Sequence, residues 1–256
     1  MTDSLRLSWH IVVRNWTVYR KDLLANISPT VADPSLIMLS LGLGLGPFVQ
    51  DVGGRSYLAF LAPGLVASTA LFTSFFESSY GFYVRMTYES VFKAMLTTPI
   101  NAREIVVGEY IWNFLKGAGM ALGVYVFLSL FGLAPGLLWA PLAALLGGLT
   151  SLPCAALGLL SSSFVRNINQ FQTVYSFLIA PIYFLSGVFF PIEPMPTLFQ
   201  NLVQISPFAH GVRLMQLMFW HQLTWRAVLW HGGILCLFSL ALGLWSAKRI
   251  HAKLIA

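Results

Sequence analysis

Charge is scarce in this sequence: only 9% of its 256 residues are charged, against about a quarter in an ordinary soluble domain. A soluble chain of this length needs more polar surface than that to stay dispersed. Cysteine is scarcer still. Cys154 and Cys236 are the only two. Both fall inside apolar stretches with no metal-like spacing, so they read as small buried hydrophobes. There is no G-x-x-x-x-G-K-[ST] phosphate loop, which removes the usual ATP cradle from this chain. There is also no G-x-S-x-G nucleophile elbow and no H-E-x-x-H zinc pair. The five histidines, His10, His210, His221, His231 and His251, are scattered, with no acid close by in sequence. Catalytic and metal sites are therefore expected to be absent. The N-terminus lacks the compact apolar core of a signal peptide.

What the chain has is hydrophobicity, 57% of residues, in runs long enough to cross a membrane. A span needs about 20 apolar residues. Six candidates follow, at about Ser28–Val49, Tyr57–Tyr80, Ile105–Phe131, Leu137–Phe164, Val174–Phe190 and Val228–Ala247. The expected fold class is an all-α integral membrane protein, one six-helix transmembrane domain over 28–256. No soluble catalytic domain fits in the remaining length. No internal repeat aligns between the halves, which counts against inverted-repeat secondary transporters.

Residues 1–27 precede the first span. Leu5, Trp9, Val12, Val13, Trp16 and Tyr19 recur at helical steps among Arg6, Arg14, Arg20 and Lys21, the pattern of an interfacial helix on an anionic leaflet. The net charge of +6 arises from Lys and Arg in short loops and tails. That is an orientation signal rather than a nucleic-acid surface. With the N-terminus, the 81–104 loop, the 165–172 loop and the C-terminus inside, that side holds Arg6, Arg14, Arg20, Lys21, Arg85, Lys93, Arg103, Arg166, Lys248, Arg249 and Lys253. Outside remain Arg55, Arg213 and Arg226. Both termini are expected in the cytoplasm.

Two connections are too long to be turns. In the inner one, about 84–104, Tyr88, Val91 and Met95 share a helical face that Pro99 ends. The outer one, about 191–226, is apolar and broken by Pro191, Pro194, Pro196 and Pro207. It reads as a pair of short helices dipping back into the outer leaflet, tolerable at that depth only under cover of protein or a wet cavity.

Three ionisable residues fall within expected spans: Glu77, Glu109 and Lys116. Such charges usually face a bundle interior or aqueous cavity. Lys116 lies about 16 Å along the helix from Ile105. A partner for it is expected in Glu77 or Glu109, either as a structural ion pair or on the path of a transported headgroup. Ser186 and Gly187, followed by Phe189 and Phe190, permit close helix packing or line an interface that opens for substrate.

Four separated segments then resemble a known family. "LSGVFFPIEPMPTLFQNLVQISPFAHGVRLM" (185–215) resembles the signature region of type-2 ABC transporter permeases, and "FKAMLTTPINAREIVVGEY" (92–110) their segment between spans two and three. "VADPSLIMLSLGLGLG" and "SYLAFLAPGLVASTALFTSFFESSYGFYVRM" resemble the first two spans of the nodulation protein J subgroup, permeases of lipo-oligosaccharide exporters. The resemblance covers essentially the whole chain. It implies a homodimer in the bacterial inner membrane that docks two copies of a separate ATPase, which holds the ATP and Mg. It further implies coupling through Tyr88–Pro99 and a lipid or glycolipid cargo passing between the two copies; in that segment the apolar Val91, Phe92 and Met95 are the candidate anchors, since interface cores favour aromatics and Met. Efflux of hydrophobic drugs and proton-coupled secondary transport remain the alternatives.

Overall fold

The computed structural model describes residues 2–49 and 52–255. Every regular element in them is helical. Helix α1 (Thr2–Tyr19) passes through one 3-10 turn, Arg20–Asp22, into α2 (Leu23–Gly44). Next, α3 (Tyr57–Phe76), a π-helical turn (Glu77–Gly81) and α4 (Phe82–Thr87) form one continuous rod, followed by the short α5 (Val91–Met95). Then come α6 (Ala102–Leu130) and α7 (Ala140–Phe164), the latter preceded by a 3-10 turn at Leu137–Trp139. A second composite rod joins α8 (Gln170–Val174), a π-helical turn (Tyr175–Ile179) and α9 (Ala180–Phe184). The chain ends with α10 (Thr197–Ile205), α11 (Pro207–Phe219) and the long α12 (Trp225–Ile255).

Among the described residues, four stretches are long and apolar enough to cross a membrane: Tyr57–Thr87, Ala102–Leu130, Leu137–Phe164 and Trp225–Leu254. At 1.5 Å per residue each outreaches a hydrocarbon core of about 30 Å. They coincide with the second, third, fourth and sixth expected spans. The first lies on α2, whose apolar run is diluted by Asp33, Pro34 and serines. The fifth was expected to reach Phe190 but is helical only to Phe184. The reason is local: Ser186 Oγ donates to Tyr183 O at 2.6 Å, Gly187 turns left-handed at φ 85°, and Gln216 Nε2 donates to Gly187 O at 2.9 Å. The fifteen residues Gln170–Phe184 reach about 22 Å, less than a full core. Pro207 divides the outer segment into two helices as expected: α10 ends at Ile205, and Pro207 opens α11, where a first-turn proline loses no hydrogen bond.

Close packing between spans rests on small residues. Gly158 of α7 lies against Ser78, and Gly117 of α6 against Ser151 of α7. The core is layered along the bundle. One cluster joins Leu61, Leu65, Val124, Leu128, Val212 and Met215 at one end. At the other, Ile11 of α1, Phe82, Phe92, Ile105, Leu159 and Ile250 of α12 pack together, so the first and last helices share an end. There Lys253 Nζ donates to Ser162 O and Val165 O at 2.9 and 3.1 Å, satisfying carbonyls at the α7 C-terminus. Helix α11 is largely buried, whereas α10 leaves Leu198, Leu202 and Ile205 exposed. Of the cysteines, Cys154 is buried as expected, but Cys236 is exposed because it lies on the outward face of α12.

Candidate functional site

Glu77, Glu109 and Lys116, the ionisable residues expected within spans, gather at one place, where the end of α3 meets α6 and α1. Lys116 Nζ of α6 donates to Glu77 Oε2 at 2.6 Å. Glu77 Oε1 accepts from Arg85 Nη1 at 2.6 Å, and Arg85 Nη2 reaches Glu109 Oε2 at 2.8 Å. Glu109, wholly buried, accepts a further bond from Asn15 Nδ2 of α1 at 3.0 Å, and Asn15 Oδ1 accepts from Arg14 at 3.0 Å. The four central charges sum to zero. The Lys116 ammonium also sits 5.0 Å from the Tyr19 ring, whose edge meets Trp112. Burial, followed by the nearby Glu77 charge, pushes the Tyr19 phenol above its ordinary pKa.

The open question of Lys116's partner is thereby answered: it is Glu77, and Glu109 pairs with Arg85. Arg85 was expected in a loop. It belongs instead to the α3–α4 rod, and the π turn is what aims it. Eight residues along a regular α-helix leave two side chains about 80° apart. A π turn adds one residue to the ladder, so the separation behaves as seven and the angle falls to about 20°. A basic residue eight positions after a span glutamate was the only sequence signal, and it points nowhere without the turn.

Helix α1 is fastened to the same region. Ile11 and the Ser8 carbonyl press on Gly108. Ser4 Oγ donates to Glu104 Oε1 at 3.1 Å, while Glu104 Oε2 accepts from the Asn101 N–H at 2.5 Å, the return half of a capping box at the start of α6. Val12, grouped by periodicity with the exposed stripe, belongs to this packed face, whereas Leu5, Trp9, Val13 and Trp16 are exposed.

Beside the network lies a cavity of about 530 Å³ between α2, α3 and the α8–α9 rod. Its lining mixes rings (Phe72, Phe76, Tyr175, Tyr183) with hydroxyls (Ser68, Thr69, Thr73) and one carboxylate, Asp33. The rings contact one another: Phe72 meets Tyr183 edge-on at 4.6 Å, and Phe76 lies 5.6 Å from Tyr175. The ladder continues past the cavity through Tyr80 and Phe171, whose centroids are 4.8 Å apart. Both lining rods carry a π turn, a distortion common at functional sites. Composition alone did not single out this surface, because its aromatics are dispersed over two distant segments.

Two other groups of expected site residues lie apart. In the short α5, Phe92 is fully buried with its ring 4.6 Å from Phe82, and Val91 and Met95 are half-buried against the same cluster. The outward surface of that segment is Tyr88, 62% exposed, with Glu89, Lys93, Thr97 and Pro99. At the turn after α9, Ser186 and Phe189 are buried within this chain, and Gly187 holds the left-handed bend. Phe190 and Phe184 are exposed.

Comparison with known proteins gives a consistent result. The model of the ABC-2 type transporter family matches residues 6–220. The chain is 35% identical over 237 residues to Nodulation protein J of Rhizobium leguminosarum bv. trifolii, covering 91% of this chain and 88% of that protein. It is 32% identical over 253 residues to Nodulation protein J of Rhizobium leguminosarum bv. viciae, covering 97% and 96%. More distantly, it is 24% identical over 191 residues to the inner membrane transport permease YadH of Escherichia coli strain K12, covering 72% and 71%.

Proposed function

The chain belongs to the ABC-2 type transporter family, and from that premise we propose that it is the permease subunit of an exporter for an amphipathic lipid-linked or lipo-oligosaccharide cargo. It is a membrane transport component. The energy in this reading comes from ATP hydrolysed with Mg by a separate ABC ATPase, since the sequence carries no phosphate loop. We further propose two permease copies and two ATPase copies, six spans with α2 and α8–α9 as the first and fifth, and both termini on the cytoplasmic side. The α10–α11 hairpin would then lie at the outer mouth, and α1 in the inner interface with Leu5, Trp9, Val13 and Trp16 toward lipid.

The observation that carries the cargo class is the cavity. Sugar rings offer C–H faces that stack on aromatics and hydroxyls that bond to Ser68, Thr69 and Thr73, while acyl chains need only the apolar remainder. The resemblance to permeases of lipo-oligosaccharide exporters supports the same class. Ser68 and Thr69 donate to the Gly64 and Leu65 carbonyls and so offer a cargo only acceptor lone pairs; a purely apolar drug leaves that capacity, Thr73 and Asp33 unused. Proton relay through Glu77 and Glu109 finds less support, because each carboxylate is held by a cation inside the protein.

The outward surface of Tyr88–Pro99 is our candidate for the ATPase contact, and the exposed Phe184 and Phe190 are candidates for the contact between copies. Purification with the partner ATPase, followed by ATPase assays across lipids, glycolipids and apolar drugs, tests the reading. Stimulation by glycolipids at low concentration is the expected result. Stimulation by apolar drugs alone would overturn it.

A further inference from the structure

Separate from the aromatic cavity, with which it shares no lining residue, a groove of about 920 Å³ runs between α6 and α12. Its walls are Val106, Val107 and Ile111 on one side and Leu240 and Leu244 on the other. Arg103, Lys248 and His251 stand together at one end, and no carboxylate lines any part of it. Among the described residues neither Arg103 nor Lys248 has a carboxylate within ion-pair distance. The Tyr110 hydroxyl lies further along, against Gly243; a Cβ at that position would sit 2.6 Å from it. Lys248 and Cys236 bracket about 18 Å of the helix axis, counting their twelve-residue separation.

We propose that this groove holds one anionic phospholipid, its phosphate between Arg103 and Lys248 and an acyl chain along the α6–α12 seam. In the topology proposed above, on which the choice of leaflet rests, this is the cytoplasmic leaflet. Charge complementarity selects the occupant. Cations crowd one end of an otherwise apolar trough, the arrangement that captures a phosphate headgroup at a membrane interface. A zwitterionic lipid brings its own cation into the same space. A second copy of this chain is poorly equipped to fill it: the sequence has only nine acidic residues, and Glu77, Glu104 and Glu109 are engaged internally. The bound lipid would tie the start of α6, just beyond the Tyr88–Pro99 segment, to the end of α12.

The transporter is placed in nanodiscs of phosphatidylcholine with an equal amount of phosphatidylglycerol of matched acyl chains, and lipid retained after transfer to detergent is counted by native mass spectrometry. Phosphatidylglycerol is expected to be retained preferentially, by about thirtyfold if two basic residues act on its phosphate. Replacing Arg103→Gln and Lys248→Gln together should abolish the preference, and Arg103→Lys should keep most of it. Equal retention of the two lipids overturns the proposal, as does selective retention that survives the double variant. Loss of the bound lipid whenever two copies of the chain associate would make the groove a protein interface and overturn it too. Displacement of the lipid by a glycolipid cargo would overturn it by making the groove part of the transport path. The wild-type measurement decides even if the double variant misfolds, and the readout does not depend on transport.

Discussion

Replacing Lys116 by methionine keeps the length and apolar stem of the side chain and deletes only its charge. The four-membered network, neutral in the native chain, is then left with one uncompensated carboxylate. Glu77 and Lys116 are only 14% exposed at their side chains, so water can do little to replace the lost partner. Breaking a buried pair in this way costs about 3–5 kcal/mol. Adding Glu77→Gln restores neutrality, because Arg85 keeps Glu109 at 2.8 Å. The double variant should therefore recover much of the loss, with a coupling energy of about 2–3 kcal/mol. Thermal unfolding of the purified protein in one detergent reads all four corners of the cycle. At about 2–4 °C per kcal/mol for a chain of this size, Lys116→Met should lower the midpoint by about 6–20 °C. A fall below about 2 °C, or losses in the two single variants that simply add, would refute the network as a unit and leave Lys116 a cation that snorkels to water.

Three further outcomes follow from the same geometry. Tyr88→Ala with Lys93→Glu alters only exposed residues of the proposed coupling surface, so the protein should insert and fold, yet fail to copurify with its ATPase; Phe92→Asp is the wrong probe, because it buries a charge against Phe82 and should unfold that end. Lys253→Met removes two bonds to the α7 C-terminus and should cost about 1–3 kcal/mol, measured by thermal unfolding. Thr73→Trp fills part of the cavity beside Phe72 and Phe76, and should abolish glycolipid stimulation of the ATPase without loss of folded protein on size-exclusion chromatography.

Much of the architecture was legible because apolar length is a strong signal. Leu137–Phe164 is reproduced to the residue, since a 3-10 turn and helix fill it without interruption. The pairing of Lys116 with one of two glutamates followed from the cost of a lone charge at depth. What failed to show was anything requiring a change of helical period. Periodicity assumes 3.6 residues per turn, and the π turn at Glu77–Gly81 breaks that assumption where Arg85 must swing in. The same limit applies to the cavity, whose second wall bears its own π turn. Phe92 illustrates a different gap. An amphipathic pattern identifies two faces but not which one the chain itself covers, and here Phe82 takes the ring that looked free. The early end of α9 depended on Gln216, twenty-nine residues away, reaching the Gly187 carbonyl.

The most direct test of the account is transport in sealed proteoliposomes containing the chain with and without its partner ATPase, using a labelled lipo-oligosaccharide. The account predicts movement that requires both the partner and ATP with Mg, and that persists when a protonophore collapses the proton gradient. Movement by this chain alone, driven by a proton gradient and indifferent to ATP, would contradict it.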